Sequence, residues 1–142
     1  MNTYRPLSPR TQGGQDLERT LQRQGIEQVY RSYRGYPTHL TRTLTPNRAP
    51  PVLMYKGSLE LLQTPCTVIS GSRRAGPEGL DCARAVAQSL ARKGIVIATG
   101  LARGVDREAT DAALNAGGRV IGVSAQGILK TPERWRHEIK QG

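Results

Sequence analysis

At 142 residues the chain is long enough for one domain with a real core, and its formal net charge of +10, carried mostly by arginine, points to a polyanionic partner. The planar guanidinium grips phosphate with paired hydrogen bonds and stacks on bases. Two cysteines are too few for a disulfide framework and too ordinarily spaced for a metal site, no apolar stretch approaches bilayer length, and the N-terminus lacks a secretory apolar core. A cytoplasmic protein with no membrane partner is expected.

Residues 1–15, with Pro6, Pro9, Gly13 and Gly14, carry no periodic apolar pattern and are expected to form a flexible basic arm. Residues 16–65 read as an N-terminal extension packing on a core that runs over 66–142, because alanine, valine, isoleucine and leucine concentrate after residue 66. In the extension, Asp16 is placed to cap a short helix over 16–24, with Leu17 and Leu21 on one face and Gly25 ending it. A short strand over 26–30, a connecting loop over 38–51, a second strand over 52–55 and a brief apolar helix over 59–62 follow. Residues 30–37 interleave aromatic and basic side chains. Tyr33 and Arg34, with Lys56 after the second strand, are therefore candidate auxiliary contacts to nucleic acid, through base stacking and charge. The alternative is that the tyrosines pack this segment onto the core while the arginines stay solvated.

The core alternates strand and helix. Strand 67–70 leads to helix 77–93, whose alanines, Val86 and Leu90 form its apolar stripe; strand 95–98 leads to helix 105–116; strand 119–124 leads to a last helix begun by Pro132 and carrying Trp135. The first strand is expected to be buried, with Cys66 before it and Cys82 in the following helix in or near the core. Strands separated by helices imply parallel pairing, right-handed crossovers and helices covering the sheet, an α/β fold. In such sheets the loops at the carboxyl ends of the strands line one edge, where ligands bind.

Two of those loops carry the chemistry. After the first core strand come Gly71, Ser72, Arg73 and Arg74, then a helix opened by Pro77. Gly71 permits the turn, Ser72 offers a hydroxyl, and Arg73 or Arg74 brings charge to a phosphate cradle at a helix N-terminus. After the second strand, Thr99 and Gly100 lead to Arg103, Gly104 and Asp106, the last expected to cap or complement its own helix. Delivered by neighbouring strands to one edge, the two loops would build a concave basic site. The dinucleotide spacing GxGxxG cannot be aligned on Gly71, and Pro77 and Glu78 stand where a Walker A loop needs lysine and a hydroxyl, so an NTPase is not expected. His39 and His137 lie in separate polar segments, and no carboxylate pair or nucleophile with a base falls at the edge. No catalysis, metal or cofactor is expected.

The series Tyr36-Pro37-x-x-Leu40, Pro50-Pro51-Val52-Leu53-x-Tyr55-Lys56-Gly57, Val68-Ile69-Ser70-Gly71-Ser72-Arg73, Thr99-Gly100-Leu101-Ala102-Arg103-Gly104-Val105-Asp106, Ala112-Ala113-Leu114 and Gly117-Gly118 resembles the DprA/Smf family, the DNA-processing proteins of natural transformation. The agreement in order and spacing runs from about residue 25 to 130. The resemblance implies an extended Rossmann-like fold, shared with the LOG hydrolases and SLOG domains, together with single-stranded DNA binding and delivery of that DNA to RecA. It places Arg73 in a basic DNA pocket with Gly71 and Ser72 beside it; Arg74, Gly100, Arg103 and Gly104 join by position and charge. The LOG signature, a proline-glycine-glycine loop with a downstream glutamate, is absent. Thr99 stands where the family commonly has serine, and Thr110 where it has histidine.

Family members continue for another half sheet with a phenylalanine-proline and an arginine-asparagine-arginine segment, whereas this sequence ends at Gly142 without a phenylalanine. The expectation is a truncated Rossmann-like core with a basic N-terminal extension, an exposed edge strand and half a binding site, completed by a homodimer or another chain. Two alternatives stand beside single-stranded DNA binding: a module for a nucleotide or NAD derivative, and a basic structural subunit of a larger nucleic-acid assembly.

Overall fold

The first helix begins four residues before the expected cap. It spans Gln12–Arg23 (α1) and takes in Gly13 and Gly14, so residues 12–15 of the expected arm are helical. Asp16 stands inside the helix, where its carboxylate lies 3.7 Å from Arg19 and its carbonyl accepts the Thr20 hydroxyl at 2.8 Å. The computed structural model describes residues 12–45 and 47–130, so residues 1–11 and the expected last helix with Trp135 and His137 lie outside the described residues. The chain divides into two compact units, one ending at Leu59 and including Ile128–Lys130, the other spanning Glu60–Gly127. The expected boundary at 65–66 lies a few residues beyond that division.

In the first unit α1 ends at Gly25, whose φ of +63° lets the chain reverse while the Ile26 N–H donates to Leu21 O at 2.9 Å. Strand β1 (Glu27–Tyr30) then pairs antiparallel with β2 (Val52–Tyr55), with Val29 opposite Leu53. The expected loop between them contains a short helix, α2 (Thr38–Thr43), set off by the buried Pro37, whose fixed φ suits a helix start. Tyr36 is buried and its hydroxyl donates to Pro50 O at 2.8 Å, while Arg31 Nη1 donates to Ala49 O at 3.2 Å. One tyrosine and one arginine of the aromatic-basic segment thus tie it to the residues just before β2. The Tyr55 hydroxyl donates to Glu27 Oε2 at 2.9 Å across the strand pair. Burial and that carboxylate push the hydroxyl up to about 12.

The second unit is the alternating core: β3 (Cys66–Val68), α3 (Pro77–Arg92), β4 (Val96–Thr99), α4 (Val105–Asn115) and β5 (Val120–Gly122), after a 3-10 turn that begins at Leu59. The strands are all parallel in the order β3-β4-β5, with Thr67 opposite Ile97 and Ile97 opposite Val120. The middle strand β4 is buried along its whole length. β3, expected to be buried, is exposed at every residue, and among the described residues it has a neighbouring strand on one side only.

Ile97 anchors the core, packed with Ala87 and Ala91 of α3 and with Ala109, Ala112 and Ala113 of α4. Small side chains at these positions let the two helices lie directly against each other. The buried positions of α3 are Ala83, Ala87 and Ala91, one per turn. Cys82 and Val86 precede them by one residue, about 100° round the helix, and are exposed, as is Cys66; neither cysteine is the core residue expected. On the outer side Arg84 bridges the pair, donating to Glu108 Oε1 at 2.7 Å and Asp81 Oδ1 at 2.6 Å. Those carboxylates, Glu108 before Asp81, hold its guanidinium above the ordinary value.

Candidate nucleic-acid interface

Because β3 and β4 are parallel neighbours, their carboxyl-terminal loops leave the sheet side by side. The backbone joins them: the Val105 N–H donates to Ser72 O at 3.2 Å. Gly104, with φ +80° and ψ −132°, occupies a conformation that only glycine adopts readily. A Cβ there would overlap Ser72 O and come within 2.9 Å of Arg73 Cα. At Gly71 the requirement is space rather than a turn: its φ is not positive, and a Cβ would lie 2.9 Å from Val105 Cγ2.

Asp106 fastens the arrangement. The residue is 3% exposed, and its two carboxylate oxygens accept from different loops, Oδ1 from the Gly71 N–H at 3.1 Å and Oδ2 from the Gly100 N–H at 2.9 Å. Asp106 stands in the first turn of α4, where an acidic side chain complements the helix as expected although it makes no capping bond, and beyond that its carboxylate ties the β3 loop to the β4 loop. A charge-assisted bond to each loop is about twice as strong as a neutral one. The arrangement also changes what the loops offer an incoming anion. Two backbone N–H groups of the loops, those of Gly71 and Gly100, already hold an internal carboxylate and are not open to an incoming anion.

Beneath the second loop lies a directed chain of hydroxyls. The buried Thr110 hydroxyl donates to Asp106 O at 2.8 Å, so the proton shared with Thr99 at 2.9 Å comes from Thr99, and Thr99 Oγ1 accepts the Leu101 N–H at 3.3 Å. Leu101 is the one described non-glycine residue with positive φ, +55°. That strained turn is held from below by Thr99. Replacing Thr110 by valine keeps the volume but leaves the Thr99 hydroxyl without an acceptor. We expect a loss of about 1–3 kcal/mol in urea unfolding, and an unchanged midpoint would show the chain of hydroxyls to be incidental.

Arg73, Arg74 and Arg103 are exposed, and among the described residues none of them enters an ion pair, in contrast to Arg19, Arg84 and Arg107. The Ser72 hydroxyl accepts the Arg74 N–H at 3.1 Å, shaping the turn that carries both arginines. Gly71, Ser72, Arg73, Arg74, Gly100, Arg103 and Gly104 are thus brought together on two adjoining loops. Tyr33, Arg34 and Lys56 belong to the first unit: Tyr33 and Arg34 are exposed in the turn after β1, and Lys56 is half-buried after β2. Sequence reading missed the linking role of Asp106. The signal was an acidic residue two positions after the glycine of a glycine-arginine loop.

A parallel Rossmann-like α/β unit with two glycine-arginine loops fastened at the carboxyl ends of adjacent strands defines the class of protein. The chain belongs to the DNA recombination-mediator protein A family, whose model matches residues 28–141. It is similar to the DNA processing protein DprA of Streptococcus pneumoniae, with 41% identity over 80 residues, 56% of this chain and 28% of that protein. To the Bacillus subtilis protein of the same name it is 36% identical over 106 residues, 74% of this chain and 35% of that protein. The X-ray structure of DprA from Streptococcus pneumoniae superposes with a TM-score of 0.71 at 31% identity, covering 88% of this chain and 44% of that one. A structure of the Helicobacter pylori DNA processing protein A, solved to describe that protein's single-stranded DNA binding mode, gives 0.56 at 27% identity, covering 82% and 50%. The chain spans 35% or less of the length of the curated relatives it matches. Among the described residues no helix is long and apolar enough to cross a membrane.

Proposed function

We propose that the chain is a cytoplasmic, non-catalytic mediator of DNA processing or recombination that binds single-stranded DNA. Arg73, Arg74 and Arg103 grip the phosphates on a rim shaped by Gly71, Ser72, Gly100 and Gly104. Tyr33, Arg34 and Lys56 are auxiliary contacts in this reading, and its protein partners are a RecA-type recombinase and a second copy or another chain. The observation that carries it is the fastening of the two loops by Asp106, which keeps unpaired arginines on adjoining turns. Three guanidinium groups fixed on neighbouring loops suit a phosphodiester backbone, whose charges recur along the strand.

The test is fluorescence anisotropy with a labelled single strand across a salt series. Arg73→Ala and Arg103→Ala should each weaken binding about tenfold, the loss of one charge-assisted contact of roughly 1.5 kcal/mol or more. Each should also flatten the plot of log affinity against log salt by roughly 0.7. Unaltered affinity with a flat salt response would remove the reading. Thermal stabilisation by a nucleotide or NAD derivative that DNA fails to compete away would put a small-ligand module in its place.

A further inference from the structure

The β4 loop contains a leucine in a conformation that leucine avoids. Leu101 has φ +55°, in the left-handed region that suits glycine, and such a residue persists only where its surroundings hold it. Its N–H is held by Thr99 Oγ1. Its side chain fills a space left open on the next strand. Gly122, at the carboxyl end of β5, pairs with Thr99 across the sheet, so side chains at the two positions point to the same face. Thr99 occupies its place with a hydroxyl bonded to Thr110, whereas beside Gly122 the Leu101 side chain takes the place. A Cβ on Gly122 would lie 2.6 Å from Leu101 Cδ1, 2.9 Å from Cγ and 3.0 Å from Cδ2. The φ of Gly122 is not positive, so space and not backbone freedom calls for glycine there.

This seat completes the fastening of the Arg103 loop. Gly100 is held by Asp106 and Leu101 by Thr99 and Gly122. On the far side Gly104 lies against the Ser72 and Arg73 backbone, and the Val105 N–H donates to Ser72 O. Only Ala102 and Arg103 stand between these anchors. We propose that Gly122 and Leu101 are positioning residues for Arg103: β5, which carries no charged residue, fixes the turn from which that guanidinium projects. The inference rests on the proposed grip of Arg103 on phosphate. A side chain whose turn is already ordered gives up less freedom on binding, and the difference enters the affinity.

Leu101→Gly suits the left-handed turn and adds no bulk, yet it removes the side chain that sits on Gly122. It should weaken single-strand binding about three- to tenfold in fluorescence anisotropy, the effect of one ordered side chain, with unchanged far-ultraviolet circular dichroism. Gly122→Ala keeps Leu101 but fills its seat, and should do the same. Two backgrounds separate positioning from general damage. In Arg103→Ala neither change should weaken binding further, whereas in Arg73→Ala both should keep their full effect. Wild-type affinity in both variants, or equal losses in the two backgrounds, would overturn the positioning role. Unaltered binding by Arg103→Ala alone would instead remove the DNA reading of this loop, and hydrogen exchange then judges the seat without DNA. Gly122→Ala should strip protection from the Gly100 and Leu101 amides, and retained protection would overturn the seat.

Discussion

Asp106→Ala is expected to destabilise the chain by roughly 2–6 kcal/mol, because two backbone N–H groups lose their acceptor at about 1–3 kcal/mol each. For a domain whose whole stability is of order 5–15 kcal/mol, that is a large fraction. Hydrogen exchange gives the local readout: the Gly71 and Gly100 amides should both lose protection, and in Asp106→Asn only one of them, since a carboxamide keeps a single acceptor oxygen. The sign of the DNA effect separates two accounts. Removing a negative charge from a basic protein should tighten binding if long-range attraction dominates. We expect weaker binding, because the loops that align Arg73 and Arg103 come apart. Tighter binding with intact Gly71 and Gly100 protection would end this account of the site.

Gly104→Ala carries the second large effect. At φ +80° and ψ −132° the backbone of Gly104 costs a non-glycine residue about 1–3 kcal/mol, and the added Cβ would also run into Ser72 O and the Arg73 backbone. Gly117→Ala is a control for a positive φ without crowding, with φ +74° and no atom within 4 Å of its Cβ. The Gly104 variant should fall below the control by at least a further ~1–3 kcal/mol, the ordinary cost of forcing extra volume into a packed site. It should also lose DNA affinity, whereas the control should not. Equal denaturation midpoints for the two variants would mean that the β3 loop moves aside freely and that its close approach to Gly104 is unimportant.

Much of the architecture is legible along the chain because its signals are local. β-branched runs broken by glycine, and alanine at helical spacing, give the order β3-α3-β4-α4-β5 and its parallel pairing. The two glycine-arginine loops are equally local, since loops at the carboxyl ends of adjacent parallel strands must emerge together. The departures trace to properties that a local pattern does not contain. Residues 12–15 join α1 although two glycines there weaken the helical signal, and the segment after Pro37 makes a helix too short to show a period. Val86 and Cys82 carry the right chemistry for a core, but Ala83, Ala87 and Ala91 take the buried face because only methyl groups fit between two closely packed helices.

The sequence by itself determined the order of strands and helices in the core and that glycines and arginines crowd two of its loops. Tertiary structure alone decided that Val68 and Cys66 of β3 are exposed among the described residues, since burial depends on a strand's neighbours and not on its own side chains. It alone decided the role of Asp106 as well. The two N–H groups that its carboxylate accepts lie 35 and 6 residues away along the chain, and a hydrogen bond made across a fold leaves no periodic mark in the sequence.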